Sequence, residues 1–200
     1  MSEIIVITNR KLCKEDFLLR LEKVAKARPF AIILREKDLP EGEYSSLAKS
    51  AVEICNKYGT RCIPHYFAGV AAELGAVHLP MAALRGLSSV ERRRFAILGA
   101  SCHSAEEAVE AEGLGCTYIT FGHVFETDCK AGLPGRGVAQ LEEVCGSVSI
   151  PVYAIGGIDK SNIAEVIRAG AGGACVMSGA MTCKNVQEYI DGLKGAAGEV

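Results

Sequence analysis

The sequence predicts a (β/α)8 barrel. Short apolar runs alternate with longer segments of helical period, eight times along the chain. The runs are apolar almost throughout, as expected of parallel strands covered on both faces. Two hundred residues shared among eight units leaves about 25 each, near the lower bound of ~200 residues for such a barrel. An open doubly wound sheet is the competing architecture, but it is favoured by fewer units.

The elements follow in order. Ile4–Thr8 reads as a strand, and Glu15–Ala27 as a helix with Leu18, Leu21 and Val24 on one side. Ala31–Arg35 is a strand, and Tyr44–Tyr58 a helix with Ala48, Ala51 and Cys55 inward. Arg61–His65 is a strand, Ala68–Leu74 a short helix, and Ala76–Leu79 a short strand. The stretch Met81–Arg94 is weaker, with Ser88 or Ser89 capping a turn or two. Ala96–Ala100 is a strand. Ser104 then caps Ala105–Leu114, with Glu107 placed for a capping box. Thr117–Phe121 is a strand, followed by a long loop from Gly122 to about Gly137 and the helix Val138–Cys145. Pro151–Ile155 is a strand, and Asp159 or Ser161 opens the helix Asn162–Ala169. Gly173–Met177 is the last strand and Val186–Lys194 the last helix. No Pro/Ser-rich linker interrupts this order, so residues 1–200 are expected to form a single domain.

Composition narrows the function. Apolar residues make up 49% and charged residues 23%, which is the balance of a globular chain, not a disordered one. The net charge is −2, with no basic excess to neutralise a nucleic-acid backbone. No apolar run is long enough to span a bilayer, and the N-terminus carries no signal-peptide pattern. The nine cysteines are odd in number and lack zinc or redox spacing. They read as small buried hydrophobes in a reducing, cytoplasmic setting. Glycine, at 22 of 200 residues, exceeds the usual ~7%.

Function in such a barrel gathers at the strand C-terminal ends. Ile155-Gly156-Gly157-Ile158 and Ser178-Gly179 end strands seven and eight. Exposed backbone N–H groups there suit a phosphate, although each glycine could simply permit a tight turn. His123 sits two residues past strand six, at the start of the long loop. It is placed either to accept and return a proton or merely to bond the backbone. Arg35 and Lys37 point the same way from strand two. They either bind an anion or pair with Glu36, Asp38 or Glu41 along the rim. All four histidines, at 65, 78, 103 and 123, lie at strand ends, but no ligand spacing or carboxylate cluster indicates a metal. Cys102 and Cys129 also reach the mouth, without a partner at redox spacing.

Several segments carry a family likeness. They are Leu34-Arg35-Glu36-Lys37, Gly75-Ala76-Val77-His78-Leu79, Gly99 to Ser104, the loop Phe121-Gly122-His123-Val124-Phe125-Glu126-Thr127-Asp128-Cys129-Lys130, Ala154 to Ile158 and Val176 to Gly179. Together they resemble the thiamine phosphate synthase superfamily, and within it the TenI-type thiazole tautomerases. The synthase pattern has proline where this chain has His123. It has magnesium-holding aspartates where this chain has Pro64-His65-Tyr66-Phe67 and His78 to Ala83, and a glutamine where Ile33 stands.

The resemblance therefore implies a tautomerase of thiamin biosynthesis that aromatises a carboxythiazole phosphate with no metal and no cofactor. It implies His123 as the proton-transfer group and Gly156, Gly157, Ser178 and Gly179 as phosphate ligands. Arg35, Lys37, Thr127 and Lys130 would serve the substrate's charge or the loop over it, with Arg136 also fixing the loop. It implies a homodimer. Two other readings stay open: a condensing thiamine phosphate synthase, and a non-catalytic, regulatory binder of the thiazole phosphate.

Overall fold

The computed structural model describes residues 2–127 and 132–198. The strands are β1 (Glu3–Ile7), β2 (Ala31–Leu34), β3 (Arg61–Pro64), β4 (Ala76–Pro80), β5 (Ile97–Cys102), β6 (Tyr118–Gly122), β7 (Val152–Ile155) and β8 (Gly173–Val176). The helices are α1 (Phe17–Lys26), α2 (Glu41–Tyr58), α3 (Ala68–Ala71), α4 (Met81–Gly86), α5 (Ser89–Arg92), α6 (Ala105–Gly113), α7 (Gly137–Ser147), α8 (Ile163–Arg168), α9 (Ser178–Thr182) and α10 (Val186–Ala197). A 3₁₀ turn, Arg10–Leu12, follows β1.

The eight strands form one parallel sheet in the order β3-β2-β1-β8-β7-β6-β5-β4. Its two end strands meet through His65, which bridges to His78 in parallel sense. There the Tyr66 N–H donates to the His78 carbonyl at 3.0 Å. The sheet is thus a nearly closed (β/α)8 barrel, with its thinnest seam at the two histidines.

Side-chain alternation divides the strands between two cores. Ile5, Ile7, Ala31, Ile33, Ile63, Tyr118, Tyr153 and Cys175 pack together inside the barrel. Ile4, Val6, Ile32 and Leu34 pack outward with the helices, against Leu21, Val24 and Ala48 among others. The near-continuous apolarity of the strands reflects this double burial.

Element boundaries differ from the sequence reading for local reasons. α2 begins at Glu41, after Pro40, and carries Glu41 and Glu43 in its first turn, where the helix dipole favours them. α1 starts after Asp16, whose carboxylate accepts from the Leu19 N–H at 3.1 Å. The weak stretch 81–94 is two short helices, the second begun by a capping box of Ser88 and Glu91. Ser104 caps α6 as expected, but Glu107 accepts from the His103 N–H at 2.8 Å, one residue before the cap. Ser178 and Gly179 are not a free turn; they open the short helix α9. Among the described residues, no helix is long and apolar enough to cross a membrane.

Candidate active site

A cavity of about 480 Å³ opens at the C-terminal end of the barrel, and every strand or the loop after it contributes to the wall. Arg35, Lys37, His123, Thr127, Gly156, Gly157, Ser178 and Gly179 all line it. Lys130 and Cys129 lie outside the described residues.

The end of β2 shows why its two cations face the cavity. Between them Glu36 is buried and turned away. It accepts from the Thr8 hydroxyl at 2.8 Å, the Arg10 N–H at 3.0 Å and the Arg10 guanidinium at 3.1 Å. The Thr8 hydroxyl in turn accepts from the Arg35 N–H at 2.9 Å. Asp38 pairs with Arg10 at 2.7 Å and Lys11 at 2.8 Å, and these contacts hold its carboxyl well below the usual range. Glu36 and Asp38 are therefore engaged by Arg10 and Lys11, and the rim pairing considered for Arg35 and Lys37 does not form with them.

The His123 loop is seated on the end of β7. Val124 N–H donates to the Ile155 carbonyl at 2.9 Å, and Phe125 N–H to the Gly156 carbonyl at 3.1 Å. At its far end, Arg136 N–H donates to the His123 carbonyl at 2.9 Å. Gly156 has φ +104°, and a Cβ there would lie 2.5 Å from the His123 Cβ. Gly157 has φ +64°, and its Cβ would lie 2.4 Å from the Glu126 carbonyl oxygen. Glycine is needed at both positions so that this loop can lie against the turn. At Gly179 a Cβ would strike the Tyr189 ring, 2.2 Å from its hydroxyl.

His123 itself is buried but reaches the cavity wall. Its Nε2 lies 2.9 Å from the Pro134 carbonyl. A carbonyl only accepts, so Nε2 carries a proton, and in the neutral ring Nδ1 then holds the lone pair. Nδ1 has no partner among the described residues.

Below the mouth lies a buried polar network. His78 bonds the Tyr118 hydroxyl through Nδ1 at 2.9 Å and Ser101 Oγ through Nε2 at 2.8 Å. The His65 ring stacks on that of His78, with centroids 5.8 Å apart. Its backbone N–H donates to the Tyr44 hydroxyl at 2.8 Å, and that hydroxyl donates to the Leu34 carbonyl at 2.7 Å. Burial, with Arg35 and Lys37 nearby, pushes His65 down to about 4. Burial, then His65, holds His78 well below the ordinary imidazole value. Both are neutral at pH 7. His103 donates through Nδ1 to the Gly122 carbonyl at 3.0 Å. Burial pushes the Cys102 thiol up to about 12, which keeps it protonated and a poor nucleophile. The gathering of all histidines at strand ends was the one sequence signal that pointed to this network.

A cavity of this size at the C-terminal mouth of a barrel, walled by cations and a glycine turn, marks a class: a barrel protein for a small anionic ligand. The chain belongs to the thiamine monophosphate synthase family, whose model matches residues 4–180. It is 32% identical to the thiamine-phosphate synthase of Pyrococcus horikoshii, over 98% of this chain and 94% of that one. It is 36% identical to a putative thiamine-phosphate synthase 2 of Aquifex aeolicus, over 89% of this chain and 97% of the relative. The solved structure of thiamine phosphate pyrophosphorylase from Pyrococcus furiosus superposes with a TM-score of 0.83 at 30% identity, covering 99% of this chain and 96% of that one. A 3-hexulose-6-phosphate synthase structure, at 16% identity and TM-score 0.71, shares the fold.

Proposed function

We propose that this chain is a thiazole tautomerase of thiamin biosynthesis, acting on a carboxylated thiazole phosphate. The observation that carries this reading is His123. It stands at the cavity wall with its Nε2 proton held by Pro134 and its Nδ1 lone pair unpartnered among the described residues. That is the tautomer a general base needs. In the proposed reaction the His123 ring turns to bring Nδ1, enclosed in this structure, to the substrate, and Nδ1 takes the proton from ring C2. The electrons move through the ring to the exocyclic double bond, and the imidazolium returns a proton to the side-chain carbon. One proton leaves and one arrives, so no oxidant or reductant is required. The phosphate would rest on the backbone of Gly156, Gly157, Ser178 and Gly179, and the carboxylate would face Arg35 and Lys37.

The relatives' names favour a second reading, condensation of a pyrimidine pyrophosphate with a thiazole phosphate. That reaction releases pyrophosphate and in the synthases uses magnesium. Magnesium takes oxygen donors, carboxylates above all. The described lining offers Arg35, Lys37 and imidazoles and no carboxylate. Among the described residues no cluster of three or more His, Cys, Asp or Glu could hold a metal. The donor set does not fit the ion, and no step is routed through it. Assembly as a homodimer and a cytoplasmic setting belong to the same reading. The family resemblance supports the first, and the free state of the described cysteines supports the second.

The deciding experiment follows aromatisation of the thiazole tautomer by absorbance. Wild type should turn over, and His123→Ala should lose ~10²–10⁴-fold in kcat. Unchanged turnover in the variant would remove His123 from the mechanism. Formation of thiamin phosphate from pyrimidine pyrophosphate, thiazole phosphate and magnesium, with no aromatisation, would install the second reading instead.

A further inference from the structure

We propose that His65 is a ligand-contacting residue that takes up a proton from solvent when an anionic group of the ligand settles between it, Arg35 and Lys37. This rests on the reading of the cavity as an anion site, not on which reaction follows.

Three observations carry it. First, His65 is 6% exposed yet lines the cavity, and its Nδ1 is buried without a partner among the described residues. Its neighbour His78 has both ring nitrogens engaged, by Tyr118 and Ser101. Nδ1 is enclosed, and the other ring nitrogen, Nε2, also bonds no described residue, so Nε2 is the atom suited to a bond made only with a ligand. Second, the ring is held in place before any ligand arrives. Tyr44 fixes its backbone, and the His78 ring supports it at 5.8 Å. Third, among the described residues the charges around it have one sign. Arg35 and Lys37 approach from β2, neutral His78 from β4, and the Tyr44 hydroxyl from α2. The carboxylate nearest in sequence, Glu36, is turned to Thr8 and Arg10.

Burial first, and then Arg35 and Lys37, keep the imidazole neutral. A bound anion reverses that local field and favours the imidazolium, which then adds a charged N–H donor to the anion. By linkage, each tenfold rise in the proton affinity of His65 on binding is a tenfold preference of the anion for the protonated form. β3 lies four strands from β7 around the barrel, so this contact falls across the mouth from the glycine turns.

The test reads protons, not turnover, and so separates its own failure from that of the tautomerase reading. The four histidine rings are followed by nuclear magnetic resonance over pH 4–8 in labelled protein, with His65 assigned through His65→Gln. The titration is run alone, with thiazole-2-carboxylate, and with inorganic pyrophosphate. The His65 midpoint should rise by at least one pH unit with one anion or both. The arm in which it rises distinguishes carboxylate from polyphosphate as the group recognised. A midpoint unmoved in both arms, or no binding of either anion by calorimetry, overturns the proposal. In parallel, His65→Gln should weaken the anion about fivefold at pH 4 and flatten the pH dependence of its affinity. Wild-type affinity and slope in a folded variant would also overturn it. If the variant does not fold, assignment passes to wild-type correlation spectra and the midpoint decides.

Discussion

Tyr118 and Gly99 form a matched pair inside the barrel. A Cβ at Gly99 would lie 2.2 Å from Tyr118 Cζ, so the absent side chain of β5 is the space the β6 ring occupies. The ring is wholly interior, and burial raises its hydroxyl well above the ordinary tyrosine value. It therefore stays protonated and bonds His78 Nδ1 at 2.9 Å. Tyr118→Phe keeps the ring and removes that bond, leaving a buried imidazole nitrogen unsatisfied. The expected cost is about 1–3 kcal/mol of unfolding free energy, read by urea denaturation. A loss within experimental error would mean that water satisfies His78 Nδ1 instead. The sequence showed a tyrosine in an apolar strand and a glycine in the next. It did not show that each explains the other, because they are 19 positions apart and meet only through β5–β6 pairing.

At the scale of elements, the β6–α7 connection and the β7 turn act as one unit. The hydrogen bonds from Val124 and Phe125 lay the loop on Ile155 and Gly156, and the two glycines leave room for it. The turn that was expected to receive phosphate thus also seats the proposed proton-transfer residue. Gly156→Ala should displace His123, since the new methyl group would fall 2.5 Å from its Cβ in a φ region that alanine disfavours. The expected result is at least a tenfold fall in aromatisation kcat, since a small misplacement of a reacting group is costly. Steady-state kinetics on the folded variant checks this. A kcat equal to wild type would show that loop and turn are independent. The glycine turn and the long loop were both legible in the sequence, but their contact was not.

At the scale of the whole molecule, barrel closure and proton binding coincide. The β3–β4 seam is bridged at His65 and His78, and both imidazoles are held neutral by burial. Below the ordinary value of 6.5, the unfolded chain binds protons on these residues that the native fold excludes. Their stabilising effect is therefore complete above pH 6.5 and is lost as pH falls toward about 4. For His65 alone the full loss is about 3 kcal/mol, of which about 2 should be gone by pH 5. Urea melts of wild type and His65→Gln at pH 7.5 and pH 5 isolate this contribution. Wild type should lose more stability than the variant across that interval. Equal losses would mean that the seam admits a charged imidazole.

The sequence by itself determined the repeating βα order, the double burial of the strands, the glycine turn after β7, and the placement of His123, Arg35 and Lys37 at the mouth. These are local properties, set by a period of two or 3.6 residues and by position relative to a strand end. Tertiary structure alone decided that Glu36 faces Arg10, that Gly156 makes room for His123, and that His65 stacks on His78 with a nitrogen left over. Each of those facts joins residues from different strands or loops, and strand pairing around a barrel sets which distant side chains share one interior.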